Sequence, residues 1–393
     1  MSAVVYSLGS IIGRGGIGDI AMEAVRGLHE RGLLKRLLVL DGVTGLAADR
    51  TFRFPAKLVL NRVVARFLPD FLRDTLYDCW ASRRIGECQV FYGWAGQALH
   101  SIRRARGQGA LTLLDRGMVE VRTLKKLLDE EHQRHGLSGA LLFRQEVERI
   151  RNECDEADVI VVPSKFVYDS FRDQGYSESK LWHCPLGVDT ERFSPTPDSD
   201  GPFRVLFLGR IGLQKGVVYL LRAWEKLNLA NAELVIMGPL GSPSERAGRA
   251  VVLKEIERMN WRGVRLAPPT DQPEKALQKV SVVVLPSVQD GFGVVVLEAM
   301  ASGLPVIVSE NVGAKECVRE GVDGFICPAG DVGALARSIQ SLYDDPSLRT
   351  KMGIHAREQA LRYSWEAYRE RIVAKIEALM GARCPSPFNP QAV

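Results

Sequence analysis

Short apolar runs alternate with longer amphipathic stretches along the chain, and glycine and proline mark the joins. Runs of this kind read as strands buried on both faces, and the stretches between them as helices lying on the sheet. In the first half, strands are expected at 4–8, 36–40, 90–92, 110–114 and 158–163. In the second half they are expected at 203–208, 232–237, 264–268, 282–285 and 306–308. Helical periodicity covers 19–31, 57–85, 242–262, 294–301, 331–343 and 363 to about 380. Strand and helix alternation on this scale predicts an α/β fold of two Rossmann-like domains. The Pro-, Ser- and Gly-rich residues 191–202 read as the linker. The expected division at this linker is 1–190 on one side and 203–363 on the other, followed by a last helix and tail, 364–393.

The most informative stretch is 280–309. It reads as strand, glycine turn, helix and strand. Asp290-Gly291-Phe292-Gly293 makes the turn, Val294 opens the helix, and Gly303 and Pro305 end it. Free N–H groups and the positive end of the helix dipole make such a turn a phosphate site. Two carboxylates, Asp290 and Glu298, stand beside it at a spacing of about two helical turns. Carboxylates accept hydrogen bonds from hydroxyls while amides take phosphates, so the pair suits a ligand that carries both.

This stretch resembles the signature of the retaining, GT-B-type glycosyltransferases of family 4 (glycosyl transferases group 1). That family carries Glu, seven residues and Glu around a Gly-Phe-Gly turn. Here Asp290 stands where the family usually has Glu, and Glu298 is kept. The likeness continues through 299–305 and 321–324. It implies two Rossmann-like domains facing across a cleft, with a last helix that crosses back to the first. It also implies a retaining transfer of a sugar from a nucleotide diphosphate sugar to an acceptor hydroxyl.

Gly209-Arg210 closes the predicted strand 203–208, and Lys215 follows five positions after Arg210. A planar guanidinium and a point-charge ammonium at a helix start suit a diphosphate. The spacing matches the family's Arg-x4-Lys pair, which implies a grip on the donor's diphosphate. By the same resemblance Glu298 takes the ribose hydroxyls, Asp290 the sugar hydroxyls, and Gly291, Phe292, Gly293 and Val294 the donor. Residues 181–189, ending Pro185-Leu186-Gly187-Val188-Asp189, resemble the family's passage into the second domain.

The first half is less decisive. Gly13, Gly15 and Gly18 satisfy the dinucleotide-binding fingerprint, and Asp41 ends the next strand. That pattern supports a rival reading, a nicotinamide- or flavin-dependent oxidoreductase. The strand is expected to end about five residues before Gly13, which weakens it. The Gly15-Gly16 pair resembles instead the family's N-terminal glycine loop near the donor phosphates. Many members carry a His-Asp pair at the end of the strand where this chain has Leu114-Asp115-Arg116. The acceptor side is therefore assigned to Asp115, Arg116 and Ser164, with His132 and His135 expected in a solvated helix. A catalytically silent module of the same fold is a third reading.

Apolar content of 46% and charged content of 25% suit a globular protein. Seven scattered cysteines with no metal-ligand spacing fit a reducing compartment, so a cytoplasmic location is expected. No secretory leader or membrane span is read. Between Arg50 and Arg106 there are eleven Lys and Arg against four Asp and Glu. This surplus reads equally as a solvated face and as a surface for peripheral contact with an anionic membrane or acceptor. No nucleic-acid motif accompanies it. Asp198-Ser199-Asp200 falls in the linker and is discounted as a metal site. No cofactor or metal is expected, and the expected partners are a nucleotide diphosphate sugar and a carbohydrate or lipid-linked acceptor.

Overall fold

The computed structural model describes residues 3–42, 45–55, 70–138, 142–196, 201–241, 246–259 and 263–383. The described chain is α/β throughout, with two parallel sheets. The first domain runs β1 (Val4–Ile11), α1 (Gly15–Glu30), β2 (Leu34–Asp41), β3 (Thr51–Arg53), α2 (Asp70–Ser82), β4 (Val90–Trp94) and α3 (Leu99–Gly107). It continues with β5 (Leu111–Asp115), α4 (Val121–Arg134), α5 (Arg144–Glu156), β6 (Val159–Val162), α6 (Lys165–Asp173) and β7 (Leu181–His183). The second runs β8 (Phe203–Leu208), α7 (Val217–Lys226), β9 (Ala232–Met237), α8 (Arg246–Arg258), β10 (Val264–Ala267), α9 (Pro273–Leu277) and β11 (Val282–Leu285). It ends with α10 (Val294–Ala301), β12 (Val306–Ser309), β13 (Gly324–Cys327), α11 (Val332–Asp344) and α12 (Pro346–Ala360). A last helix, α13 (Trp365–Arg383), follows.

The sheets have the orders β3-β2-β1-β4-β5-β6-β7 and β10-β9-β8-β11-β12-β13. In both, the order reverses beside the first strand, which is where open α/β sheets bind ligands. The fold is the expected one, including the crossing of the last helix. Helix α13 packs on α1, where Arg369 pairs with Glu23 at 2.5 Å and Arg31 with Glu377 at 2.8 Å. Its Tyr368, Ile372 and Ile376 are buried in a core that runs from one face of the first sheet into the second domain. The other face of the first sheet has its own core beneath α2 to α6. The two crossings between domains lie side by side: the Val188 N–H donates to the Tyr363 carbonyl at 2.9 Å. Gly187 is glycine because a Cβ there would overlap the Ser364–Trp365 backbone.

Several elements differ from the sequence reading. Strand β1 runs to Ile11, where it still pairs with Asp41 of β2, so it ends beside Gly13 rather than five residues before it. Ser7 is tolerated although buried because its hydroxyl lies 3.0 Å from the Tyr77 hydroxyl, and Ser10 is half-buried near the strand's end. Helix α1 begins at Gly15, so the glycines form its first turn. Strands β3 and β13 and helix α12 were not expected. Of the stretch 57–85, Asp70–Ser82 is helical. The readings for 56–69, Asp198-Ser199-Asp200, 242–245, 260–262 and the tail 384–393 lie outside the described residues.

Candidate functional site

The site forms where the turns after β8 and β11 meet. Gly216 (φ 68°) ends the turn after β8, and a Cβ there would overlap the Pro286 carbonyl oxygen. Two further contacts join the loops. The Val288 N–H donates to the Gln214 carbonyl at 2.9 Å, and Gln214 Nε2 donates to Gln289 Oε1 at 2.8 Å. This places Lys215 against Asp290, with Nζ 2.6 Å from Oδ2. Both side chains are largely buried yet reach the surface. Arg210 stands at the exposed end of β8 and Gly209 is half-buried beside it.

Helix α10 starts at this pair. Its N-cap is Gly293 (φ 85°), its first turn holds no acidic residue, and no side chain caps it. Among the described residues the N–H groups of Gly291, Phe292 and Gly293 donate to no protein acceptor. Three adjacent amides, a helix N-terminus and a lysine are the groups from which anion sites are built. Lys215 is held there by its carboxylate partner, so the site is not a naked positive patch.

Glu298 projects from the second turn of α10 and is half-buried. Burial pushes its carboxyl from an ordinary 4.5 up to about 7; Arg192 pulls it down, while Asp19 and Glu274 push it further up. Asp19 comes from α1 in the first domain. Its own carboxyl is raised, first by burial, with Arg192 opposing. Arg192 is bonded to Glu274, with Nη2 2.7 Å from Oε2. Three carboxylates and one guanidinium thus surround this point. Asp19, Arg192 and Glu274 were missed from the sequence because they come from three separate parts of the chain. Gly15 and Gly16 line the exposed start of α1, where a Cβ on either would meet open space.

The first-domain assignments fare differently. Asp115 is buried at the end of β5, and its Oδ2 has no hydrogen-bond partner among the described residues. Burial pushes its carboxyl up to about 7, with Tyr92 pulling the other way. The hydroxyls of Tyr6, Tyr92 and Tyr368 are themselves raised, burial first and Asp115 second. Arg116 points to the opposite face and does not reach the cleft. It is buried, its Nη2 donates to the Val119 carbonyl at 3.0 Å, and burial lowers its pKa. Successive strand residues face opposite ways, so the two could not share a site. Ser164 is fully buried at the junction of the domains. His132 and His135 are not solvated either. His132 is 8% exposed, and His135 Nε2 lies 3.1 Å from Glu131 Oε1, whose Oε2 accepts from the Tyr219 hydroxyl at 2.7 Å. The second domain covers that face of α4. No group of three His, Cys, Asp or Glu that would hold a metal is found among the described residues. Nor is any described helix long and apolar enough to cross a membrane.

Comparison with known proteins adds to this geometry. Residues 188–359 match the family model described as glycosyl transferases group 1. A D-inositol 3-phosphate glycosyltransferase of Corynebacterium urealyticum is 30% identical over 246 residues, which is 57% of this chain and 58% of that protein. A GDP-mannose-dependent alpha-(1-6)-phosphatidylinositol monomannoside mannosyltransferase of Mycolicibacterium smegmatis is 29% identical over 264 residues, 60% of this chain and 65% of that protein. The chain therefore matches less than two thirds of the length of these relatives. Among solved structures, the sucrose-phosphate synthase of Thermosynechococcus elongatus superposes with a TM-score of 0.77 at 19% identity, covering 97% of this chain and 100% of that one. Anabaena HepE in complex with UDP-glucose gives 0.72 at 15% identity, covering 96% and 100%. At such identities the likeness is one of fold. Over residues 188–359 this chain is thus similar to the glycosyl transferases group 1, and over nearly its whole length it has the two-domain fold of those solved structures.

Proposed function

We propose that this protein is a retaining glycosyltransferase that moves a sugar from a nucleotide diphosphate sugar to an acceptor hydroxyl. The observation that carries the reading is the Lys215–Asp290 pair at 2.6 Å beneath the uncapped start of α10. Charge builds on the diphosphate as the bond from the anomeric carbon to its oxygen lengthens. Lys215 and Arg210 neutralise that charge from the β8 side, and the amides of Gly291, Phe292 and Gly293 from the β11 side. Fixed donors of this kind need no rearrangement as the reaction proceeds. A sugar hydroxyl then donates to Asp290 alongside Lys215, which sets the sugar's orientation. Glu298 takes the ribose hydroxyls, accepting from one as a carboxylate or donating to one when protonated. Asp is one methylene shorter than Glu, so the sugar sits nearer the turn than a Glu at 290 would hold it.

The fixed cations and amides supply the positive charge, and no metal is assigned to the step. The acceptor is a carbohydrate or lipid-linked hydroxyl bound mainly by the first domain. Two matched relatives are named for an inositol phosphate and a phosphatidylinositol mannoside, which agrees with an anionic acceptor. The basic residues 50–106 suit the same partner or an anionic membrane surface on the cytoplasmic side.

A second reading rests on β1. That the strand runs to Ile11, with α1 starting at Gly15 and Asp41 ending β2, supports this reading. Thermal unfolding against UDP, GDP, ADP, UDP- and GDP-sugars, NAD and NADP separates the two. A ligand at about 100 times its Kd adds roughly 2.7 kcal/mol. A response to one nucleoside diphosphate supports the transferase. A response to NAD or NADP alone overturns it.

A further inference from the structure

The turn that offers its amides to the donor is held from outside its own domain. The Ser164 hydroxyl, on the first domain and fully buried, donates to the Gly291 carbonyl at 2.7 Å. It also accepts from the Val167 N–H at 3.2 Å, so it caps α6 with the same oxygen. One residue on, the Lys165 N–H donates to Glu316 of the second domain at 2.6 Å, and Glu316 also meets His183 at 2.9 Å. The start of α6 is thus docked on the second domain at the residues flanking the turn.

Two glycines make this approach possible. Gly291 is not in the left-handed region, so its backbone alone would accept a side chain. A Cβ there would overlap the Gly117 carbonyl oxygen of the first domain. Gly313 is likewise free of positive φ. A Cβ on it would overlap the Gly291 carbonyl oxygen and press on Ser164 Oγ. Its N–H donates to the Asp290 carbonyl at 2.9 Å, tying the same turn from its other side. Gly291 thus answers to the contact between domains, and Gly313 both to that contact and to its packing on the Gly291 turn.

A trans peptide points its C=O and its N–H in opposite directions. Fixing the Gly291 carbonyl toward Ser164 therefore turns the Phe292 N–H away from the junction, and that N–H has no protein acceptor among the described residues. We infer that Ser164 and Gly117 are positioning residues for the donor: closure of the first domain onto Gly291 sets the anion-binding amides of the second. This rests on the donor reading above. It also reassigns Ser164 from the acceptor side to the donor side, although its chain belongs to the first domain.

The test uses the full chain with three variants, Ser164→Ala, Ser164→Thr and Gly291→Ala. Calorimetry measures UDP, GDP and ADP binding, and donor hydrolysis gives KM and kcat separately. X-ray scattering with and without nucleotide reports closure. Ser164→Ala is expected to raise the nucleotide Kd and the donor KM about tenfold, the size of one buried hydrogen bond, with a smaller change in kcat. Ser164→Thr, which keeps the hydroxyl, restores most of the loss. Gly291→Ala holds the domains apart, seen as a larger radius of gyration that nucleotide does not reduce, while each domain stays folded. If the wild type binds nucleotide and both Ser164→Ala and Gly291→Ala bind it equally well, the inference is overturned while the donor reading stands. If the wild type binds none of UDP, GDP and ADP, the donor reading itself fails and takes the inference with it.

Discussion

The two domains share a sheet order, and the helices that follow β4 and β11 start at matching places in it. The protein fills one of these starts itself. In the first domain, Glu153 accepts from the N–H groups of Gly96, Ala98 and Leu99, at 2.8 Å for Ala98, and Asp78 accepts from those of His100 and Ser101. Arg149 bonds both carboxylates. Helix α3 thus begins on two buried anions that belong to the fold. In the second domain, α10 begins with no acidic residue and no cap. The same chemistry is therefore internal on one side and open to a ligand on the other. A helix start marks a binding site only where the chain has not already supplied the anion.

The comparison can be broken most severely at Glu153. Glu153→Ala leaves three amides without their partner and Arg149 with only one of its two carboxylates, and loss of one member of a buried charged network costs about 3–5 kcal/mol. Chemical denaturation should show that loss. Nucleoside diphosphate binding by the folded fraction should be unchanged, and a parallel loss of binding would mean the two starts are not separate. Next in size is Lys215→Ala. Loss of one fixed donor to a developing anion costs about a hundredfold to a thousandfold in kcat. Donor hydrolysis and transfer should fall together, with Arg210→Ala in the same direction, and intact transfer would remove the role given to the pair. A sharper test copies the first domain into the second. Val294→Asp puts a carboxylate in the first turn of α10, and repulsion there should weaken UDP or GDP binding by about tenfold or more. Unaltered binding would show that the anion lies elsewhere.

The smallest effect is a pH dependence. Glu298 in the folded protein holds its proton up to about pH 7, against an ordinary 4.5. A raised carboxyl contributes stability that is full below its unfolded value and is lost as pH rises through the folded one. The free protein should therefore lose stability relative to Glu298→Gln between about pH 4.5 and pH 7, by roughly 1–2 kcal/mol once the full shift, about 3.4 kcal/mol, is reduced for solvent screening of a half-buried side chain. Unfolding midpoints of both proteins across that range would decide it, and a constant difference would remove the assigned cause.

The second domain was the more legible half. Val282–Leu285 and Val294–Ala301 are found where the sequence puts them, because continuous apolar runs bounded by Pro286, Gly293 and Gly303 leave little choice. Asp290 and Lys215 were named from local spacing, and the fold brings them together. Strand β13 has only two strongly apolar residues, and the buried side of α12 includes Gly353, Ala356 and Ala360, which give no apolar stripe. Neither announces itself. The environment of Glu298 was illegible for another reason. Asp19 and Arg192 lie far from it in sequence, and only the fold reports such neighbours. His132 and His135 misled in the same way: their helix is charged, but Tyr219 of the second domain covers it.

Helix α13 supplies a wall of the first domain, with Arg369 reaching Glu23 across 346 positions. This has a consequence for the order of synthesis. A ribosome makes β1 to β7 early, yet the flank of that sheet stays open until Tyr368, Ile372 and Ile376 have emerged. The second domain must be made while the first is incomplete. Arrested or truncated chains should accordingly fail first in their N-terminal half, the part farthest from the cut.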